Sequence, residues 1–331
     1  MIDIITTINS TSINNSLIKD MLESGSSIFR INMSHTRISD AIKCSRTIRR
    51  IAKGLAKEVK IMIDIPGPEV RIANLRRFHN LSANESTNIF FTPQKEDYFF
   101  SSKINHKLIA KGDRFYLQDG DFTGLVSDVT NDYITITVDN SNILRPNCHF
   151  SIPGKSLHYE FLSEQDKEII KETGQEKPDF FALSFVGSAQ DIHEFSNYYE
   201  SLQIDHKTLI LSKFETAKSL ASMESIINCS DYLYIARGDL GIEVSIPLLP
   251  TLQKQISRKC RDLNKPFFVA TQMMESMVTK PYPTRAEISD VANAIFDGAS
   301  GVTLSDETAI GKYPIQAIQW MKKIIDANKL D

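Results

Sequence analysis

Cysteine is scarce and scattered. The chain of 331 residues has four, Cys44, Cys148, Cys229 and Cys260, with no Cys-x-x-Cys pair and no cluster at metal-ligand spacing. That pattern argues against a disulfide framework and against a zinc ribbon. Long apolar runs are missing too: none reaches the roughly 18 residues of a membrane span, and Met1-Ile2-Asp3 opens the chain without a basic segment leading into an apolar one. A cytoplasmic protein without a membrane partner is the expectation. Charge of one sign is also absent, since 38 Lys plus Arg face 41 Asp plus Glu. No global positive field therefore draws the chain to nucleic acid. Finally, Thr6-Thr7-Ile8-Asn9 holds no glycine, so the phosphate loop that would mark an open doubly wound sheet is not there.

What is present is an alternation of short β-rich runs and helical patterns. Ile2 to Thr6 reads as a strand, Asn14 to Leu22 as an Asn-capped helix stopped at Gly25, and Ser27 to Ile31 as a second strand. Ile38 to Ala56 has helical spacing, and Lys60 to Asp64 is a third strand, so the order βαβαβ implies parallel pairing. From Val70 to Gly154 the helix signal fades, and β segments such as Arg114 to Leu117, Phe122 to Val126 and Tyr133 to Val138 are separated by turns. The alternation resumes with a Ser-capped helix, Ser163 to Thr173. Strands follow at Phe180 to Ser184, Thr208 to Ser212, Tyr232 to Ala236, Pro266 to Ala270 and Gly301 to Leu304, and a helix at Pro314 to Ile325 closes the chain. Three strands before the insertion and five after it make eight. Removing residues 70–154 leaves about 246 residues, close to the roughly 250 of a TIM barrel. The expected fold is α/β: a (β/α)8 barrel over residues 1–69 and 155–331, with a small β-barrel-like lid domain, 70–154, inserted after strand three.

In such a barrel the active site is built at the C-terminal ends of the strands. The residues that end or follow the expected strands are Arg30 and Asn32, Asp64, Ser184, Lys213 and Glu215, Arg237 and Asp239, Thr271, and Ser305 with Glu307. Each alone reads as a solvated side chain or a rim salt bridge; nearly all of them at one end of consecutive strands is harder to dismiss. Glu215 and Asp239 end neighbouring strands, about 4.8 Å apart, so both can reach one hard cation. Lys213 shares the side of the strand with Glu215, and an ammonium beside a metal forms a clamp for an anionic group. An ion pair that only closes the barrel mouth explains Lys213 and Glu215 equally well. The run Ala236-Arg237-Gly238-Asp239-Leu240-Gly241 suits a turn whose backbone N–H groups could bind an anion, and an ordinary tight turn fits it too.

These residues resemble the pyruvate kinase family. The shared blocks are FRINMSH at Phe29 to His35, DIPGPEVR at Asp64 to Arg71, Ser184-Phe185-Val186, Lys213-Phe214-Glu215, ARGDLG from Ala236, ATQMMESM from Ala270, PTRAE from Pro283, DVANA from Asp290 and SDETAIGKYP from Ser305. Their order and spacing agree with the family over almost the whole chain, the lid least. The resemblance implies metal-dependent phosphoryl transfer between phosphoenolpyruvate or pyruvate and ADP or ATP. It places Lys213 against the transferring phosphoryl group, Arg30 on phosphate oxygens, and Glu215 and Asp239 on Mg²⁺ or Mn²⁺. Carboxylate recognition falls to Ala236, Arg237, Gly238 and Asp239, with Ser184 nearby, and Thr271 lies beside the methylene carbon. Asn32, Ser34, Asp64 and the Ile65 carbonyl match a K⁺ site, and Glu69 matches the acidic form found in potassium-dependent members. His35 and Arg71 fall on the nucleotide side, and Ser305 with Glu307 on proton delivery. Pro283 to Glu287 falls at a barrel-to-barrel interface, compatible with a homodimer.

Departures accompany the matches. Family members continue into a further effector-binding domain, whereas this sequence stops at Asp331, so control of that kind is expected to be absent. The family's Gly-Pro after strand one is Asn9-Ser10, the Gly after Ser-His is Thr36, and the Thr-Lys after the third-strand aspartate is Ile65-Pro66. In the lid, a family lysine falls on Cys148 and an aspartate on Gln118. Most of these changes gather on the nucleotide side, which leaves open whether ADP is the acceptor. The alternatives are another acceptor or donor, enolate chemistry on a pyruvate-like acid, or a silent binding partner.

Overall fold

The computed structural model describes residues 2–9, 14–74, 79–93, 97–158 and 160–329. Met1, Ser10 and Asp331 lie outside the described residues. Three strands, β1 (Asp3–Ile8), β2 (Ile28–Asn32) and β3 (Lys60–Ile65), lead into the lid strands β4 (Arg71–Asn74), β5 (His79–Leu81), β6 (Ser86–Phe90), β7 (Tyr98–Phe100), β8 (Arg114–Leu117), β9 (Phe122–Val129), β10 (Tyr133–Val138), β11 (Asn142–Leu144) and β12 (Cys148–Ser151). Then come β13 (Phe180–Leu183), β14 (Leu209–Phe214), β15 (Tyr232–Ala236), β16 (Phe267–Ala270) and β17 (Gly301–Leu304). The first three and last five of these strands close into one parallel barrel in the order β1-β17-β16-β15-β14-β13-β3-β2. The (β/α)8 expectation is thereby confirmed.

Helices α1 (Asn15–Ser24), α2 (Ile38–Gly54), α3 (Glu164–Gly174), α4 (Ala189–Ser201), α5 (Ala217–Ala221), α6 (Met223–Cys229), α7 (Arg237–Glu243), α8 (Leu249–Asp262), α9 (Arg285–Phe296), α10 (Asp306–Ala309) and α11 (Pro314–Asn328) alternate with the barrel strands. Their starts are written locally. Asn14 accepts the Leu17 N–H, and Ser163 with Asp166 and Thr284 with Glu287 form capping boxes that satisfy orphan N–H groups. Gly25 ends α1 at φ +124, a region costly for a residue with a Cβ.

Side chains alternate across a strand, and the barrel uses the alternation to separate two cores. Outward residues such as Ile4, Phe29, Ile63 and Leu233 pack under the helices in the largest buried cluster. Inward residues, among them Ile5, Ile28, Met62, Phe180, Leu211 and Tyr234, fill the barrel itself. Two residues further along the same inward rows the chemistry changes: Ile28 is followed by Arg30 and Asn32, Met62 by Asp64, Ala182 by Ser184, Leu211 by Lys213 and Glu215. The barrel is thus oily at its base and charged at its C-terminal mouth.

Seven lid strands close into a second barrel, β10-β6-β7-β4-β12-β8-β9, while β11 and β5 form a separate pair. Six of the nine lid strands, all of three to five residues, were not among the expected segments, because runs this short carry little periodicity. The lid leaves the barrel near Gly67, whose φ is +69 and whose N–H donates to Asp166 Oδ1 at 3.1 Å. A Cβ at Gly67 would lie 2.6 Å from the Ser184 carbonyl oxygen. Gly67→Ala should therefore lower stability by about 1–3 kcal/mol. A urea midpoint equal to that of the unsubstituted protein would show that this crossing is not packed as described.

Candidate active site

Four of the inward charged residues meet at the barrel mouth. Arg30 grips Asp64 Oδ2 with Nε and Nη2, both at 2.6 Å. Lys213 Nζ lies 3.3 Å from Asp64 Oδ1, 2.9 Å from Glu215 Oε1 and 2.8 Å from Ser184 Oγ, to which it donates. Ser184 in turn donates to the Ile65 carbonyl at 2.7 Å. Side-chain exposure is 12% for Arg30, 9% for Lys213, 2% for Asp64 and 1% for Glu215, so the charges act on one another with little water between them. Lys213 lies within β14, which runs two residues beyond the expected strand end at Ser212, and Glu215 follows it directly.

Burial opposes the charge on all four groups, and the neighbours decide the outcome. For Lys213, Asp64 and Glu215 overcome burial and hold the ammonium above the usual lysine value. Asp64 is held below the ordinary carboxylate value, its burial outweighed by Lys213 and Arg30. Glu215 goes the other way: burial, aided by the charge of Asp239 and only partly countered by Lys213, pushes its carboxyl up to about 7. Its Oε2 accepts the Phe185 N–H at 2.6 Å, whereas Oε1, though close to Lys213, has no aligned hydrogen-bond donor. A buried carboxylate oxygen without a donor, beside a second carboxylate, fits a hard divalent cation. No group of three or more His, Cys, Asp or Glu side chains at ligand spacing occurs among the described residues. Two protein carboxylates with further oxygens from substrate or water suit Mg²⁺ coordination.

The ARGDLG run is not a turn but the first part of α7, which starts at Arg237. Asp239 is in its first turn, and Gly238 lies under Thr271, where a Cβ would come within 3.0 Å of Thr271 Cγ2. Arg237 does not face the pocket alone. It donates to the Ala270 carbonyl at 3.2 Å and the Thr271 carbonyl at 2.7 Å, and pairs with Asp290 at 2.6 Å. This clamp holds Thr271 at φ +75, a rare conformation for a β-branched residue. Glu307 is similarly occupied, accepting the Met274 N–H at 2.9 Å and the Ser305 N–H at 2.7 Å, and burial raises its carboxyl above the ordinary value.

Asn32 Oδ1 accepts the Ser34 N–H at 3.0 Å beside Asp64 and Ile65, and His35 is exposed next to them. Arg71 is tied to Glu69 at 2.8 Å and to the Asn147 carbonyl at 2.8 Å. The two lid departures are both buried. Cys148 is buried in the lid core, and Gln118 is buried at φ +53, bonding Asp121, the Ile143 carbonyl and the Arg145 N–H. Both serve the packing and turns of the lid. Thr7, which accepts from Arg30 Nη1 at 3.0 Å, and Tyr234, whose hydroxyl bonds Thr303 at 2.9 Å, were missed. Their inward parity, two residues from Ile5 and Ala236, was the available signal. Glu243 carried no such signal.

A closed α/β barrel with a β-barrel lid after its third strand, and a buried cationic network flanked by two carboxylates at the strand ends, defines a (β/α)8-barrel enzyme built for an anionic substrate. The family model "Pyruvate kinase, barrel domain" matches residues 1–318, and the chain belongs to the pyruvate kinase family. It is 36% identical to a pyruvate kinase of Thermococcus litoralis over 97% of this chain and 68% of that one, and 35% identical to one of Thermotoga maritima over 93% and 66%. Plastidial pyruvate kinase 3 of Arabidopsis thaliana is 33% identical, over 97% of this chain and 57% of that protein. The crystal structure of a pyruvate kinase from Cryptosporidium parvum superposes with a TM-score of 0.90 at 31% identity, covering 98% of this chain and 68% of that one. The chain thus spans between about half and two thirds of the length of these relatives. No helix among the described residues is long and apolar enough to cross a membrane.

Because a proton and a cation compete for Glu215, Mn²⁺ affinity should fall about tenfold per pH unit below about 7. Glu215→Gln should bind Mn²⁺ weakly and lose that part of the pH dependence. Mn²⁺ titration followed by electron paramagnetic resonance, in parallel on both proteins, checks this; superimposable profiles would remove Glu215 from the metal site.

Proposed function

We propose that the chain catalyses phosphoryl transfer between phosphoenolpyruvate and a nucleoside diphosphate, with the barrel (1–69 and 155–331) as the catalytic domain and residues 70–154 as its lid. The observation that carries this reading is the ammonium of Lys213, buried, charged and fixed by Asp64, Ser184 and Glu215 at the mouth of the barrel. A donor held before the reaction begins stabilises charge that develops in the transition state without reorganising. Arg30, clamped by Asp64 and Thr7, neutralises phosphate oxygens from the other side.

Glu215 and Asp239 would hold the divalent cation, Mg²⁺ or Mn²⁺, which supplies neutralisation of substrate oxygens. The backbone from Ala236 to Asp239 receives the substrate carboxylate, and Thr271, held in place by Arg237, stands beside the methylene carbon. Ser305 and Glu307 serve proton delivery, with Glu307 keeping the β16 and β17 loops in register through its two N–H contacts. The oxygen donors Asn32, Ser34, Asp64 and the Ile65 carbonyl suit K⁺. Glu69 keeps this corner acidic while Arg71 balances it. His35 and Arg71 lie on the nucleotide side. A homodimer through Pro283 to Glu287 belongs to the same reading.

Lys213→Met should lower turnover with phosphoenolpyruvate and ADP by about 10²- to 10³-fold or more, while Mn²⁺ binding persists. Near-normal turnover in steady-state assays across several nucleoside diphosphates would overturn the role given to this lysine. Turnover should also require potassium: equal rates in potassium and tetramethylammonium buffers of matched ionic strength would sink the monovalent site.

A further inference from the structure

A solvent-open cleft separates lid from barrel, and Asp239 lines it beside four cationic or titratable nitrogen side chains, His149, Lys155, His158 and Lys218. Two of the four, Lys155 and His149, are engaged. Lys155 is neutralised by Asp113 at 2.6 Å and also donates to the Leu108 carbonyl at 2.9 Å. His149 packs its ring on Phe185, 5.9 Å between centroids, within the field of Glu243. His158 is held below its ordinary value by burial, with Lys218 adding to the effect against Asp191. Lys218, the one lysine of the cleft besides Lys155, forms no side-chain hydrogen bond or ion pair among the described residues.

The lysine is nonetheless seated. Its stem lies over Gly187, where a Cβ would come within 2.8 Å of Lys218 Cδ. Its neighbour Ala217 donates its N–H to Glu243 Oε2 at 3.2 Å, and the same oxygen accepts the Gly154 N–H at 3.2 Å, where the lid returns to the barrel. Glu243 stands one helical turn after Asp239 on α7, and Lys218 three residues after Glu215. The base of the side chain is therefore fixed relative to both candidate metal carboxylates and to the lid, while its ammonium remains available. An ammonium without a counter-ion, in a cleft beside a metal carboxylate, is suited to a polyphosphate that brings both negative charge and metal-binding oxygens.

We propose that Lys218 is a specificity-determining residue that binds the terminal phosphate of the nucleoside diphosphate in the lid–barrel cleft. This rests on the nucleotide-dependent reading above and adds a residue to it. A barrel-side cation engages the nucleotide phosphates where the lid strand β12 carries the half-buried His149 and neither lysine nor arginine.

Calorimetric titration with ADP, AMP and oxalate, each with Mg²⁺, on the full chain and on Lys218→Met and Lys218→Arg, tests the inference. Lys218→Met should bind ADP about tenfold or more weakly. AMP and oxalate should bind unchanged, the thermal midpoint should hold, and Lys218→Arg should restore most of the ADP affinity. Loss of the preference for ADP over AMP is a readout that a merely structural role would not move. ADP affinity in Lys218→Met within twofold of the unsubstituted protein overturns the inference and leaves the proposed function standing. An unsubstituted protein that binds oxalate but not ADP overturns the nucleotide reading itself, and the role of Lys218 with it.

Discussion

Asp64 lies between two cations, and the barrel mouth is organised around it. Arg30 arrives from β2 and Lys213 from β14, so one carboxylate near the end of β3 fixes side chains from two other strands. Without it Arg30 would lose its carboxylate partner and Lys213 would keep only Glu215; removing one partner of a buried ionic cluster costs about 3–5 kcal/mol. With Glu215 pushed up to about 7, the cluster near neutral pH is poised between one and two negative charges against two positive ones. It therefore has room for an added anion or an added cation.

The same buried charges hold an unusual backbone. Phe185 at φ +57, Thr271 at φ +75 and Gln272 at φ +55 all follow the ends of barrel strands, in a region that costs of order 1–3 kcal/mol for side chains of these types. Each strained segment has its ionic anchor. Glu215 accepts the Phe185 N–H, Arg237 holds the Ala270 and Thr271 carbonyls, and Glu307 takes the Met274 N–H just beyond Gln272. Glu215 and Glu307 thus act through the chain as well as through any ligand, because a carboxylate has several lone pairs and a barrel mouth many free N–H groups.

How much of this was legible follows from which interactions are local. Alternation is a property of consecutive residues, so the inward rows ending in Arg30, Asp64, Ser184, Lys213 and Glu215 could be read from the sequence, as could the eight parallel strands. The caps at Asn14, Ser163 and Thr284 are local as well. What a linear reading misses is direction in space. Cys148 is aligned with a lysine, yet its strand turns that side chain into the lid core; Gln118 is aligned with an aspartate, yet it bonds Asp121 in its own turn and the Ile143 carbonyl and Arg145 N–H of the lid. The glycines of ARGDLG suggested a turn, but packing of Gly238 against Thr271 and the clamp made by Arg237 give a helix. Tertiary contact overrides local preference there.

Glu243 is the clearest case of a residue visible only in three dimensions. No spacing in the chain links it to Gly154 or Ala217, yet it bridges the end of the lid and the start of α5. Asp166 does the corresponding work at the other crossing, on Gly67. Burial raises both carboxyls above their ordinary values, and at both crossings a positive-φ glycine presents its N–H to an acid. Between these two anchors the lid reaches the barrel mouth through His149 on the Phe185 ring, and the Phe185 N–H is the donor that orients Glu215 Oε2. A displacement of the lid that moves this ring therefore moves the peptide that aims Glu215. The seating of the lid and the orientation of the Glu215 carboxylate both run through Phe185.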